Sequence, residues 1–444
     1  MGIPSGTNSR HTMRMRLSDL AGKTICILGF GKEGKSALAA LEHSAPGCVI
    51  TIADQNEKLK IENVELKIGP AYLEGLENFD VIIKSPGIPP STQLSVLSSR
   101  VTTPTNLFFA EASALGATVI GVTGSKGKST TTSLIHHVLS RAGMPAILCG
   151  NIGLPALDTL GNIKKESIVV MEMSSYQLMD ALVSPHIAVL TSFFPEHLDY
   201  HGSLKAYFEA KANITRFQTA DDLVFFNAEN AETTMMAALS KGNKIPFRHG
   251  ECPLPLGETK LIGDHNKSNI AAAYKVAEHL GVDHDVCLVA IRTFKPLPHR
   301  LQSLGVQHGI HWIDDAISTT PDSTIAALRA LGNDVSTIIL GGTDRGLTFD
   351  SLAKEIVQCS QVSTVILFPG TGPKIRKNIE KELSTKVDRK ITLTDADSME
   401  LAVKIALEQT PQGRICLLST ASPSYNMFKN FEEKGEMFAT EISK

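Results

Sequence analysis

The chain is predicted to be an α/β protein built on parallel sheets, and three observations carry that expectation. Short apolar, β-branched runs alternate with segments of helical periodicity. One early run leads into a Gly-x-Gly-x-x-Gly turn. A later one leads into a glycine-rich turn that ends in Lys-Ser. Strands alternating with helices pair through βαβ crossovers, and glycine turns at strand ends are where such sheets bind phosphates. The alternation falls into three blocks.

The first block opens with the strand Thr24–Leu28, followed by Gly29-Phe30-Gly31-Lys32-Glu33-Gly34 and a helix carrying Leu38 and Leu41. The next strand starts at Val49 and ends at Asp54. Three spaced glycines with an acid about 20 residues beyond form a dinucleotide fingerprint, because the turn brings backbone N–H groups and a helix N-terminus to a pyrophosphate. Taken alone, the pattern favours a dinucleotide, and another nucleoside diphosphate fits the same helix end. A further strand, Val81–Ile83, runs into Ser85-Pro86-Gly87, again at a strand's C-terminal end.

The second block starts near Ser113 and carries Gly121-Val122-Thr123-Gly124-Ser125-Lys126-Gly127-Lys128-Ser129-Thr130 after the run Ala117–Ile120. Glycines let amides curl round phosphate oxygens, the lysine neutralises outer phosphates, and the serine hydroxyl suits Mg²⁺. The spacing departs from the strict Walker pattern: five residues separate Gly121 from Gly127, and Gly124 lies inside the loop. Leu134, Ile135, Val138 and Leu139 give the following helix a core face. Glu172 ends the apolar run Ile168–Met171 and reads as a metal carboxylate or as a helix-start acid. Ser174, Ser175 and Gln177 follow it. Glu196-His197-Leu198-Asp199 lies past the strand Ala188–Leu190 and reads as a metal-orienting group or a surface loop. Lys211 shares an apolar helical stripe with Leu204, Tyr207 and Phe208, so it either snorkels or points into a site. Asn266 and Asn269 precede or open an Ala-rich helix, as caps or as readers of a purine edge.

The third block begins at Pro298-His299-Arg300, where an arginine at a domain hinge suits a γ-phosphate. Strands then lead into Asp314-Asp315, Gly341-Gly342, Gly370 and Ser419.

Composition sets the outer limits. The chain has 444 residues, 42% hydrophobic and 20% charged, with a net charge of -3. That is ordinary for a globular protein of several domains, and it gives no electrostatic pull toward nucleic acid or anionic membrane. The seven cysteines are scattered without a Cys-x-x-Cys pair and read as reduced thiols. No apolar run approaches the roughly 18 residues needed to span a bilayer. Residues 1–16 lack an apolar centre and read as a disordered leader rather than a signal peptide.

The ordered set of motifs resembles the Mur ligase family. It comprises the Gly-x-x-Gly-x-x-Gly-Lys-Ser-Thr loop, Gly150-Asn151-Ile152-Gly153, Glu172-x-Ser174-Ser175-x-Gln177-Leu178 and Glu196-His197-x-Asp199. It continues with Lys211, His265-Asn266-x-x-Asn269, Pro298-His299-Arg300, Asp314-Asp315 and Phe428-Lys429-Asn430-Phe431. The resemblance spans most of the chain. It implies three domains: a Rossmann-like UDP-sugar domain at 17–112, a central P-loop ATPase-like domain at 113–296, and a Rossmann-like amino-acid domain at 297–444. It implies a cytoplasmic bacterial enzyme, monomeric, acting on small molecules and on neither nucleic acid nor membrane. The reaction implied is ATP-dependent addition of D-glutamate to UDP-N-acetylmuramoyl-L-alanine through an acyl phosphate, in peptidoglycan precursor synthesis.

Carried over by position, Gly124, Ser125, Lys126, Gly127, Lys128, Ser129 and Thr130 would hold the phosphates of ATP. Asn266 and Asn269 would face the adenine, Arg300 the phosphates and Asp315 the ribose. Ser129 and Glu172 would bind a first Mg²⁺, and His197 and a carbamylated Lys211 would position a second. Gly29, Gly31, Lys32, Glu33, Asp54, Ser85, Gly87, Asn151, Ser174 and His197 would serve the UDP substrate. Thr319, Arg345, Ser424 and Phe431 would line the glutamate pocket.

The chain departs from the family pattern at the acceptor side. Asp315-Ala316-Ile317-Ser318-Thr319-Thr320 stands where members read Asp-Ser-Lys-Ala-Thr-Asn, so a lysine is replaced by Ile317. Arg345 stands where glutamate-adding members carry a lysine, and its fork suits a carboxylate. Ser192 and Phe194-Pro195-Glu196 replace an Asn and a Thr-Glu-Asp. An L-glutamate-adding relative is therefore the alternative, with a nucleotide-binding homologue lacking turnover behind it. A folate polyglutamate synthetase is opposed by the Gly-x-Gly-x-x-Gly block ahead of the phosphate loop.

Overall fold

The computed structural model describes residues 15–386 and 388–444. The leader expected at 1–16 therefore lies mostly outside the described residues. Its end needs correction: Arg16 donates to Glu111 at 2.8 Å, and Met15 packs against the core, so these two belong to the fold.

Three sheets form, one in each block. The first contains β1 (Thr24–Leu28), β2 (Val49–Asp54), β3 (Glu65–Ile68), β4 (Val81–Lys84) and β5 (Val101–Thr102), in the order β3-β2-β1-β4-β5. The second contains β6 (Thr118–Thr123), β7 (Ala146–Gly150), β8 (Ile168–Glu172), β9 (Ile187–Leu190), β10 (Leu223–Asn227) and β11 (Asn243–Phe247), ordered β11-β10-β9-β6-β8-β7. The third contains β12 (Gln302–Gln307), β13 (Ile310–Asp314), β14 (Val335–Leu340), β15 (Thr364–Leu367), β16 (Thr392–Asp395) and β17 (Ile415–Leu418), ordered β12-β13-β17-β14-β15-β16. The first two sheets are parallel throughout, and the third is parallel except for the antiparallel edge pair β12–β13.

Burial explains the strand composition. β4, β8, β9, β14 and β15 are buried at every position, which requires apolar residues on both faces. Connections reverse direction beside β1, beside β6 and between β14 and β17. Crevices at the C-terminal ends of strands open at such reversals, and the loops after β1, β6, β14 and β17 lie at them.

The chain divides into two compact units. One carries the first two sheets and runs to Glu258, then takes up Lys267–Phe294. The other carries the third sheet, from Thr259–Asn266 and Lys295–Lys444. Asn266 thus falls in one unit and Asn269 in the other. Among the described residues no helix is long and apolar enough to cross a membrane.

Candidate active site

The phosphate loop joins β6 to the helix Lys128–Arg141. Its glycines are forced by conformation and by crowding. Gly127 caps the helix at φ 84°, where a Cβ would overlap Asn269 Oδ1. Gly124 has φ 158° and lies against Thr191 and Ser192, leaving no room for a side chain. The loop is pinned from outside: Ser125 N donates to Ser192 O at 2.8 Å, and Thr191 Oγ1 donates to Lys126 O at 2.7 Å. Lys128 turns back, donating to Gly124 O and Ser125 O at 2.9 Å each. This is a cradle closed on its own lysine, with Ser129 half-buried beside it.

Glu172 ends β8 next to β6, and its side chain is 1% exposed. One carboxylate oxygen accepts from Asn151 Nδ2 at 3.0 Å. The other is buried with no hydrogen-bond partner among the described residues, an arrangement that costs stability unless a cation completes it. Asn151, expected at the UDP substrate, is thus found holding this carboxylate.

Lys211 points inward rather than snorkelling. It is 2% exposed, donates to Gly124 O at 2.8 Å, and lies 4.9 Å from the Tyr207 ring centroid. Burial, reinforced by the nearby Lys128 charge, holds its ammonium well below the usual lysine range. His197 sits at φ 55° at the start of a short helix, and burial lowers its pKa, favouring a neutral imidazole. Among the described residues no group of three or more His, Cys, Asp or Glu side chains could by itself hold a metal ion. The oxygen donors expected from the sequence are Glu172, buried at the end of β8, and the half-buried Ser129 hydroxyl. Lys211 joins them only if its charge is reversed.

Sequence reasoning missed the aromatic and histidine wall beside this site. Tyr176 packs against His197, Tyr200 and His201, with ring centroids 5.2, 4.3 and 5.6 Å away. His201 Nε2 lies 3.0 Å from Ser175 Oγ, while its buried Nδ1 has no partner among the described residues. The Tyr200 hydroxyl lies 2.8 and 2.9 Å from the carbonyl oxygens of Pro86 and Ile88, joining this wall to the turn after β4. The spacing of His197 and His201, one helical turn apart, was the available signal.

The first-block residues gather at the end of β1. Asp54 accepts from Phe30 N at 2.7 Å and from Asn56 N at 2.8 Å, so it shapes the glycine turn from within. Ser85 Oγ donates to Gly29 O at 2.6 Å. A Cβ at Gly34 would collide with Gly29 O, whereas the space before Gly31 and Gly87 is open. Lys32 opens the helix Lys32–Ser44 and is exposed. Glu33 accepts from Gln177 Nε2 at 2.9 Å, and burial raises its pKa. Ser174 caps its own helix, bonded to Gln177. Lys84, another missed residue, is 3% exposed and paired with Asp180 at 2.6 Å.

In the other unit, Arg300 lies between His299 at φ 61° and Leu301 at φ 44°, and its buried Nε has no partner among the described residues. Strained backbone that aims an unpaired donor is typical of a ligand clamp. Asp315 accepts from Ser419 Oγ at 2.8 Å and Leu301 N at 3.2 Å, and burial lifts its pKa to about 6. Loops after β14 and β17 meet: Gly341 N donates to Thr420 O at 2.9 Å. Arg345 lies over the Tyr425 ring at 5.6 Å, Ser424 is buried, and Phe431 stands edge-on to His299. Thr319 and Ile317 are half-buried. Asn266 Nδ2 donates to Ile262 O at 2.7 Å, and Asn269 Oδ1 accepts from Thr131 at 3.2 Å.

The chain is similar to known proteins over nearly its whole length. Residues 122–251 match the model of the Mur ligase middle domain. A UDP-N-acetylmuramoyl-L-alanine–L-glutamate ligase of Salinispora tropica is 35% identical, over 96% of this chain and 99% of its own. A UDP-N-acetylmuramoylalanine–D-glutamate ligase of Acetivibrio thermocellus is 32% identical, over 96% and 98%. In fold, MurF of Acinetobacter baumannii covers all of this chain with 95% of its own at TM-score 0.61 and 18% identity. MurC of Thermotoga maritima covers 95% with 99% of its own at TM-score 0.60 and 18% identity. With near-complete coverage at these identities, and a phosphate cradle, buried carboxylate and buried lysine at the ends of one sheet, the chain belongs to the Mur ligase family.

Proposed function

We propose that this chain is an ATP-dependent ligase that joins glutamate to UDP-N-acetylmuramoyl-L-alanine in peptidoglycan precursor synthesis. The observation that carries the reading is the buried Glu172 oxygen without a partner, one strand away from the phosphate cradle. The alanine carboxylate attacks the γ-phosphorus of ATP, ADP leaves, and the amine of glutamate then displaces phosphate from the acyl carbon. Activation is required because a carboxylate oxygen is a poor leaving group and phosphate a good one. Lys128, drawn off its own loop carbonyls by the nucleotide, neutralises the outer phosphates. Lys211, whose buried ammonium gives up its proton more readily than an ordinary lysine, adds to CO₂ through the lone pair this frees and loses a second proton, giving a carbamate. Glu172 and Ser129, with His197 and that carbamate, would hold two Mg²⁺ ions, which supply charge neutralisation at the transferred phosphoryl group. The glycine turn after β1 takes the uridine diphosphate, and the loops after β14 and β17 take glutamate.

D-Glutamate is the first reading for the acceptor, as in the Acetivibrio relative. L-Glutamate is the second, favoured by the Salinispora relative and by Ile317 and Arg345, which change the acceptor side alone. The test is phosphate release from ATP with Mg²⁺, UDP-N-acetylmuramoyl-L-alanine and either enantiomer. Release with D-glutamate supports the first reading, and release with L-glutamate alone replaces it with the second. No release with either refutes the ligase reading.

A further inference from the structure

Lys434 lies on the helix Phe431–Ile442 and is 0% exposed. Its ammonium donates to Thr420 Oγ1 at 2.6 Å and to Ser424 Oγ at 2.7 Å, both in the loop after β17. Neither partner carries charge. The charges that bear on it are those of Asp314 and Asp315. Both are committed elsewhere: Asp314 faces His299 Nδ1 at 2.7 Å and accepts from Ala316 N at 2.9 Å, and Asp315 accepts from Ser419 and Leu301. A fully buried ammonium with only hydroxyl partners is costly, and such cations are retained where an anion arrives to complete them.

The hydroxyls point the same way. Thr420 Oγ1 accepts from Lys434 and passes its own proton to Ser422 O at 2.9 Å. Ser424 Oγ also accepts from Lys434, and among the described residues no acceptor takes its proton. An oxygen whose lone pair is held by an ammonium becomes a better donor on its other side. Ser424 therefore offers a polarised O–H, and Lys434 offers the third N–H of its ammonium. Phe431 opens the same helix one turn before Lys434, and Arg345 lies over Tyr425, the residue after Ser424.

We infer that Lys434 is a positioning and specificity residue for the acceptor amino acid: it holds Ser424 as a donor and supplies the buried positive charge that a glutamate carboxylate completes. The inference rests on reading this unit as the glutamate-binding one. It also places a cation near the strand end where Ile317 supplies none, since Thr420 Oγ1 lies 3.4 Å from Ser318 O.

Burial pushes the Lys434 ammonium down to about 7, so free enzyme loses this charge within the working range. Full-length enzyme is assayed by phosphate release, varying glutamate, ATP and UDP-N-acetylmuramoyl-L-alanine separately. Lys434→Met should raise KM for glutamate by about 10–100-fold at about pH 6.5, with the other two KM values within about twofold. That ratio should shrink toward one at about pH 8.5, where wild type has lost the charge too. Lys434→Arg should keep the low KM and flatten its pH dependence. Should Lys434→Met fail to fold, the wild-type rise in KM for glutamate through about pH 7, absent in Lys434→Arg, carries the test. Equal changes in all three KM values, or a methionine effect independent of pH, would overturn the inference. Absence of glutamate-dependent release in wild type overturns the ligase reading itself, and this inference with it.

Discussion

Replacing Lys211 by methionine should destroy activity and leave the fold as stable or more so. The side chain is 2% exposed, and among the described residues its ammonium donates only to Gly124 O at 2.8 Å and Thr123 Oγ1 at 3.5 Å. Methionine matches its length and carries no charge to desolvate. Exchanging a buried charge for an apolar group of similar volume is neutral or stabilising by about 1–3 kcal/mol. In a unit of this size that raises the melting temperature by about 2–4 °C per kcal/mol. The sign of the pH effect follows from the depressed pKa. Between the folded-state value and the ordinary 10.5, folded Lys211 is neutral and unfolded Lys211 is protonated. The unfolded chain then binds one more proton, so wild-type stability rises with pH by about 1.4 kcal/mol per unit across that window. The methionine variant lacks this slope. Melting curves in CO₂-free buffer across that window measure it, and phosphate release measures the activity, expected to fall by about 10²–10³-fold. In Lys211→Ala, which leaves them room, small carboxylates should restore part of it. A variant that melts well below wild type, or retains full turnover, refutes the reasoning.

Two further substitutions test the cradle and the frame that supports it. Gly127→Ala forces a side chain at φ 84° into Asn269 Oδ1, so KM for ATP should rise at least about tenfold, with about 1–3 kcal/mol of stability lost, read by kinetics and denaturant titration. Asp180→Ala strands Lys84, 3% exposed and held by that carboxylate at 2.6 Å. It should cost about 3–5 kcal/mol by the same titration, and Lys84→Met with Asp180→Ala should recover most of it.

The phosphate loop, the glycine turn after β1 and the strand-ending Glu172 were legible because backbone requirements leave marks in sequence. Positive φ in tight turns favours glycine, and buried parallel strands favour apolar runs. The two buried lysines show the limit of that kind of reading. Lys211 follows Tyr207 by four residues, and Lys434 follows Phe431 by three and precedes Phe438 by four. Each lies on an apolar helical stripe. Periodicity marks the stripe but not whether its lysine bends out to water or stays in, because that depends on what the opposing element offers. For Lys211 it is the carbonyl of Gly124, and for Lys434 the hydroxyls of Thr420 and Ser424. Asp54 and Asn151 show the same limit. Both are expected at ligands, and the contacts sequence does not show are that Asp54 accepts from the turn that precedes it and Asn151 donates to Glu172.

Sequence alone thus determined the α/β class, the three blocks, the order of the ligand loops and the family, since these follow from local periodicity, glycine placement and motif order. Tertiary structure decided which polar groups are spent on one another and which stay unpaired. Glu172 Oε2, Arg300 Nε and the ammonium of Lys434 acquire their meaning from burial, and burial is a property of packed elements that no single stretch of chain contains.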